Sequence, residues 1–185
     1  MKNKNIYASD GFANNDYELA SHISQLLGKV QKYHDVEGLS DMILHELCHE
    51  DCFGLKKATY LIDNPDFNHL LGVSGFCDQD CCHHKQDLWM NPFTFKDDMK
   101  KAQFYNDVKN FLKDSLKRKD IDLYKTEDIK DLGKILGMKK PEFFSWDMKH
   151  GNHGILIFEK SEKAIDDWRS KLLSNFATLL GFCGI

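Results

Sequence analysis

The chain has 185 residues, 42% of them hydrophobic and thirteen of them phenylalanine, enough for one sizeable core. Charged residues make up 29% with both signs interspersed, and the net charge of -4 supplies no field that would draw in nucleic acid or an anionic membrane. The opening residues, Met1 to Asn5, lead into polar and acidic sequence rather than an apolar export segment, and no apolar run approaches the roughly 20 residues that span a bilayer, so the expected location is cytoplasmic.

Residues 1–15 show no periodicity and read as a flexible arm, which leaves 16–185 as a single domain. Asp16 is placed to cap a helix in which Leu19, Ile23, Leu26, Leu27 and Val30 recur at three-and-four spacing. After a break at 35–38, Ser40 or Asp41 is the next cap, and Leu39, Ile43, Leu44 and Leu47 mark a second helix that Gly54 ends. The β-branched and aromatic content of 57–63 predicts a strand, Asn64-Pro65-Asp66 breaks it, and 70–76 returns as its hairpin partner. A helix is expected over 97–116, with Lys117-Arg118-Lys119 as its solvated end, then a short strand over 121–124 and a short helix over 127–136 closed by Gly137. Strands 142–148 and 155–160 form a second hairpin around Gly151-Asn152. Ile165 or Asp166 opens a final helix with Trp168, Leu172, Leu173, Phe176, Leu179 and Leu180 as a broad apolar stripe.

This order of helix, helix, hairpin, variable middle, hairpin and helix resembles that of a GAF domain. The stretch Leu39-Ser40-Asp41-Met42-Ile43-Leu44-His45-Glu46-Leu47-Cys48 running into Ala58-Thr59-Tyr60-Leu61-Ile62-Asp63 is similar to the family's second helix and first strand. Phe143 to Met148 followed by Gly154-Ile155-Leu156-Ile157-Phe158 resembles its paired late strands, and Leu172 to Phe182 its terminal helix. The resemblance implies an α+β fold: a central antiparallel sheet with the N- and C-terminal helices on one face and a helical, loop-rich cover enclosing a ligand pocket on the other. It also implies a stand-alone sensory or regulatory module that binds a small molecule or metal and signals through a protein partner. The cysteine and Pro-Ala-Ser motifs of tetrapyrrole-binding members and the Asn-Lys-x-Asp pattern of cyclic-nucleotide members are missing, so neither ligand carries over.

A competing signal is His45-Glu46-Leu47-Cys48-His49, which on a helix sets two imidazoles one turn apart with a glutamate to activate water. It supports an alternative reading as a zinc-dependent hydrolase (a metallopeptidase): His45 and His49 as ligands, Glu46 as general base, His83 or His84 as third ligand. Projection at about 100° per residue sets Leu39, Ile43 and Leu47 opposite His45, His49 and Cys52. Only helical sequence precedes the motif and a hairpin follows it, so the histidines read as a polar outer helix face. A ligand-free interaction domain is the third reading.

Six cysteines without an export signal read as thiols or ligands rather than disulfides. Cys77, Cys81, Cys82, His83 and His84 form one dense group, and Cys48, His49 and Cys52 another. Hairpin pairing brings Cys77 opposite the region of Leu55, a few residues beyond Cys52, so the two groups are expected to meet and to suit zinc or an iron-sulfur cluster. Candidate ligand-pocket residues are the aromatics Trp89, Phe93, Phe95, Tyr105, Tyr124, Phe144 and Trp146, with Phe104 among the same cover segment. The stripe of Trp168, Leu172, Phe176 and Leu179 is broad enough for core and partner together, which predicts a homodimer.

Overall fold

The computed structural model describes residues 10–80, 88–119, 122–123, 127–161 and 165–183, with side chains from residue 16 onward. The strands are β1 (Leu55–Asn64), β2 (His69–Cys77), β3 (Leu112–Lys113), β4 (Pro141–Asp147) and β5 (His153–Lys160). They form one antiparallel sheet in the order β3-β2-β1-β5-β4. Both predicted hairpins are present, β1 with β2 and β4 with β5, and the pairing of β1 with β5 joins them. The helices are α1 (Asp10–Lys32), α2 (Leu39–Cys48), α3 (Pro92–Met99), α4 (Gln103–Lys109), α5 (Glu127–Ile135) and α6 (Asp167–Ala177).

Side chains leave a strand alternately to either face, and this splits the interior into two cores. Ala58, Tyr60, Ile62, Phe76, Leu156 and Phe158 pack with α1, α2, α3 and α6. Leu61, Leu70, Cys77, Ile155 and Ile157 pack with Phe104 and Val108 of α4 and Ile129 and Leu132 of α5. The terminal helices thus share one face and the middle of the chain covers the other, the α+β arrangement expected.

Several element boundaries differ from the sequence reading. α1 begins at Asp10, inside the expected arm, because backbone hydrogen bonding can continue a helix beyond its apolar stripe. Asp16 caps nothing; its carboxylate accepts a hydrogen bond from Arg169 Nη2 at 3.1 Å and ties α1 to α6. Gly38, at φ +87, is the residue before α2, and its carbonyl receives the amides of both Asp41 and Met42, so neither Ser40 nor Asp41 is the cap. The helix stops at Cys48 because His49 is extended; Gly54, at φ +57, turns the chain into β1 instead. Asp166 does cap α6, accepting from the Arg169 amide at 2.8 Å.

The helix expected over 97–116 is two. α3 sends Phe95 and Met99 to the terminal-helix core, whereas α4 sends Phe104 and Val108 to the other and only Tyr105 back to the first. The break is held by Asn106, whose amide donates to the carbonyls of Lys100 (2.8 Å) and Ala102 (3.0 Å). α4 then lies so close to β2 that a Cβ at Gly72 would sit 1.7 Å from the Val108 carbonyl oxygen. The tight β4–β5 turn uses positive φ at His150 and Gly151 rather than at Asn152. Ile121 and Tyr124 lie outside the described residues, and Asp122 and Leu123 are not in a strand. Among the described residues no helix is long and apolar enough to cross a membrane.

Candidate functional site

Every residue of α2 except His45 is buried, so the helix has no polar outer face. His45 is half-buried, with its ring edge-on to Phe76 at 4.9 Å and Phe95 at 5.3 Å. Glu46 is buried and already engaged. Trp89 Nε1 donates to its Oε1 at 2.5 Å, His22 Nε2 lies 3.1 Å from Oε2, and Lys29 Nζ lies 3.4 Å from Oε1. Burial works against the charge, but Trp89, Lys29, His22 and His45 together hold the carboxyl below its ordinary range. His49 stacks parallel to His22 at 6.5 Å. A hydrolytic base must face a metal-bound water, and this carboxylate faces Trp89 and α1. Among the described residues no group of three or more His, Cys, Asp or Glu side chains is arranged to hold a metal.

The cysteines separate along the same lines. Cys48 and Cys52 belong to the terminal-helix core and Cys77 to the other, although Cys77 does lie beside the start of β1, paired with Lys57. The hairpin register does bring Cys77 to the start of β1, but its side chain leaves the sheet on the face opposite the core that holds Cys48 and Cys52. Burial, with the nearby Glu46 charge, pushes the Cys52 thiol up to about 12, and a protonated thiol is a poor ligand. Cys81, Cys82, His83 and His84 lie outside the described residues.

Of the expected pocket aromatics, Trp89, Phe95 and Tyr105 gather around α2, while Phe144 and Trp146 stack on Phe158 (5.2 Å) and Tyr60 (5.8 Å) at the β4 side. All five pack on the terminal-helix face rather than beneath the opposite cover. Phe93 is exposed and Tyr124 lies outside the described residues.

The opposite face carries a groove of about 710 Å³ bounded by α4, β3, the residues after β2 and the C-terminal end of α5. Lys57 and Cys77 come from the paired strands, Phe104 and Asp107 from α4, and Leu112 and Ile135 from the flanking segments. Lys57 Nζ donates to the Gly137 carbonyl at 3.1 Å and sits 5.2 Å above the Phe104 ring. An ammonium has three donors, so this held cation retains one for an acceptor in the groove. Asp80 Oδ2 accepts from the Phe104 amide at 2.8 Å and fixes the start of α4 from across the chain. Of the sequence candidates among the described residues, only Cys77 and Phe104 line this groove. Lys57 was recoverable from hairpin register, as the partner of Cys77; the rest required knowing where α4 breaks.

A second buried acid joins the two faces. Asp41 is 2% exposed, and Tyr105, the neighbour of Phe104, donates to its Oδ2 at 3.3 Å around the edge of β2. Burial pushes the Asp41 carboxyl above its ordinary range, against the opposing effects of the Ser74 hydroxyl, Lys109, Tyr105 and Lys96. The nearest cations have other company: Lys96 pairs with Glu37, and Lys109 lies 5.7 Å above the Tyr105 ring.

No protein-family model matches the chain, and no curated protein matches it. The GAF resemblance therefore rests on the order of elements and receives no support from a family match. Among solved structures the chain is similar to that of SdiA in complex with octanoyl-rac-glycerol, with a TM-score of 0.42 and 12% sequence identity. The alignment covers 98% of this chain and 66% of that one, a little under two thirds of its length. Likeness of that size assigns neither family nor ligand.

Proposed function

We propose that the chain is a non-catalytic regulatory module that binds a small amphipathic molecule in the groove between α4 and α5 and works as a pair of copies that signals to a protein partner. The observation that carries the reading is the groove itself: a volume of about 710 Å³ whose wall is shared between apolar side chains (Phe104, Phe111, Leu112, Ile135) and polar ones such as Asp107 and Asn110, with a lysine held at Lys57. Such a site suits a ligand with an apolar body and a hydrogen-bond acceptor or anionic end. The engagement of Glu46 by Trp89, His22 and Lys29 disfavours the hydrolase alternative.

The test uses 8-anilinonaphthalene-1-sulfonate, which has both an apolar body and an anion. Its fluorescence should rise on binding near one probe per chain. Asn110→Trp, which fills the groove from an exposed position, should abolish that rise while leaving the far-ultraviolet dichroism unchanged. Equal probe binding by the folded variant would sink the reading.

A further inference from the structure

The groove between α4 and α5 has a cation toward each end, and β2 sets their spacing. Lys57 is the register partner of Cys77 at one end of that strand, and Lys113 of β3 is the partner of Leu70 at the other. Directly paired residues point to one face of a sheet, and Cys77 and Leu70 both belong to the core beneath α4 and α5. Both lysines therefore leave the sheet on the groove side, seven residues or roughly 20 Å apart along β2.

Each ammonium is also turned toward a ring that lines the groove. Lys57 Nζ lies 5.2 Å from the centre of the Phe104 ring, at the start of α4, and Lys113 Nζ lies 5.6 Å from that of Phe111, just past the end of α4. Neither lysine has an ion-pair partner among the described residues; Asp114, the acid beside Lys113, pairs instead with Lys119 at 3.2 Å. The acids of the groove are engaged elsewhere. Asp80 takes the Phe104 amide, and Asp107 accepts from Gln103 Nε2 at 2.7 Å. Two lysines against two aspartates leave the lining without net charge, so no diffuse field selects an anion and recognition falls to direct contact at the two ends. A molecule with a single anionic end would occupy one ammonium and lay its apolar tail beside the other.

We infer that the groove takes an elongated apolar chain with an acid at each end, of the α,ω-dicarboxylic class, with one carboxylate at Lys57 and the other at Lys113. This names the ligand class of the binding proposed above and rests on it.

The test is displacement of 8-anilinonaphthalene-1-sulfonate by dodecanedioate and by dodecanoate, which share a chain length and differ in the second acid. The diacid should half-displace the dye at about three- to fivefold lower concentration than the monoacid, the size of one contact between solvent-exposed ions. Lys113→Gln, at an exposed position in a two-residue strand, should remove that preference without changing the far-ultraviolet dichroism. Lys171→Gln, on α6 across the sheet, takes away the same charge and should keep it. Equal or weaker displacement by the diacid, or a preference that survives Lys113→Gln, overturns the two-ended ligand and leaves the groove reading standing. An unaltered chain that does not bind the dye overturns both.

Discussion

Two carboxylates on α2, five residues apart, face opposite electrostatic situations. Glu46 is surrounded by an indole N–H, an ammonium and an imidazole, and its folded pKa lies below the ordinary 4.5. Its contribution to stability is therefore present above that value and is lost as pH falls through the lower folded one. Asp41 has hydroxyl neighbours and no ion-pair partner among the described residues, and burial raises its pKa above 3.8. For such a group the sign reverses: stability is greatest below 3.8 and declines as pH rises through the folded value. Glu46→Gln should accordingly cost about 1–3 kcal/mol at pH 7, by leaving Lys29 and His22 without their anion. Asp41→Asn should be neutral or gain about 1 kcal/mol, because an amide fills the same space without a buried charge. Denaturant titrations at pH 4 and pH 7 check both; the Glu46→Gln penalty should shrink at the lower pH, and the Asp41→Asn gain should shrink with it.

At the scale of elements, the decisive piece is α4, which closes the edge of β2 and walls the groove. Its proximity depends on the missing side chain at Gly72, whose Cβ would collide with the Val108 backbone rather than with a flexible side chain. Gly72→Ala should therefore displace the helix, cost about 3 kcal/mol and weaken dye binding, with thermal melts and fluorescence as the measurements. The same strand explains what could not be read in advance. Pairing shifts by one residue between Tyr60 and Leu61, so Val73 is an extra residue in β2. Leu70 and Phe76, which strict alternation would put on one face, enter different cores. Nothing in His69–Cys77 announces the bulge, since glycines at 72 and 75 are compatible with a regular strand as well.

Across the whole molecule, what was legible followed from patterns with strong local causes. Alternating β-branched strands, turn residues at 64–66 and the capping Asp166 specified the two hairpins and the closing helix. The candidate site was less legible, because it depends on which face a side chain reaches after a break or a bulge. Trp89 and Phe95 were recognisable as functional-looking aromatics, yet they pack with the terminal helices because α3 crosses to that face before α4 returns. The histidine-glutamate motif is hard to read for a similar reason: its spacing suits a metal, but α1 supplies His22 and Lys29 as neighbours of Glu46 that a local motif cannot contain.

The separation of Cys52 and Cys77 by the sheet has a use beyond packing. The two thiols are natural reporters of different openings of the same protein. With the other four cysteines replaced, labelling of Cys77 by a thiol reagent should slow when the groove is filled by the dye or by Asn110→Trp, since that sulfur lines it. Labelling of Cys52 should ignore both and follow the opening of the terminal-helix core, so two rates measured in one sample would distinguish loosening of the α4 wall from unfolding of the domain.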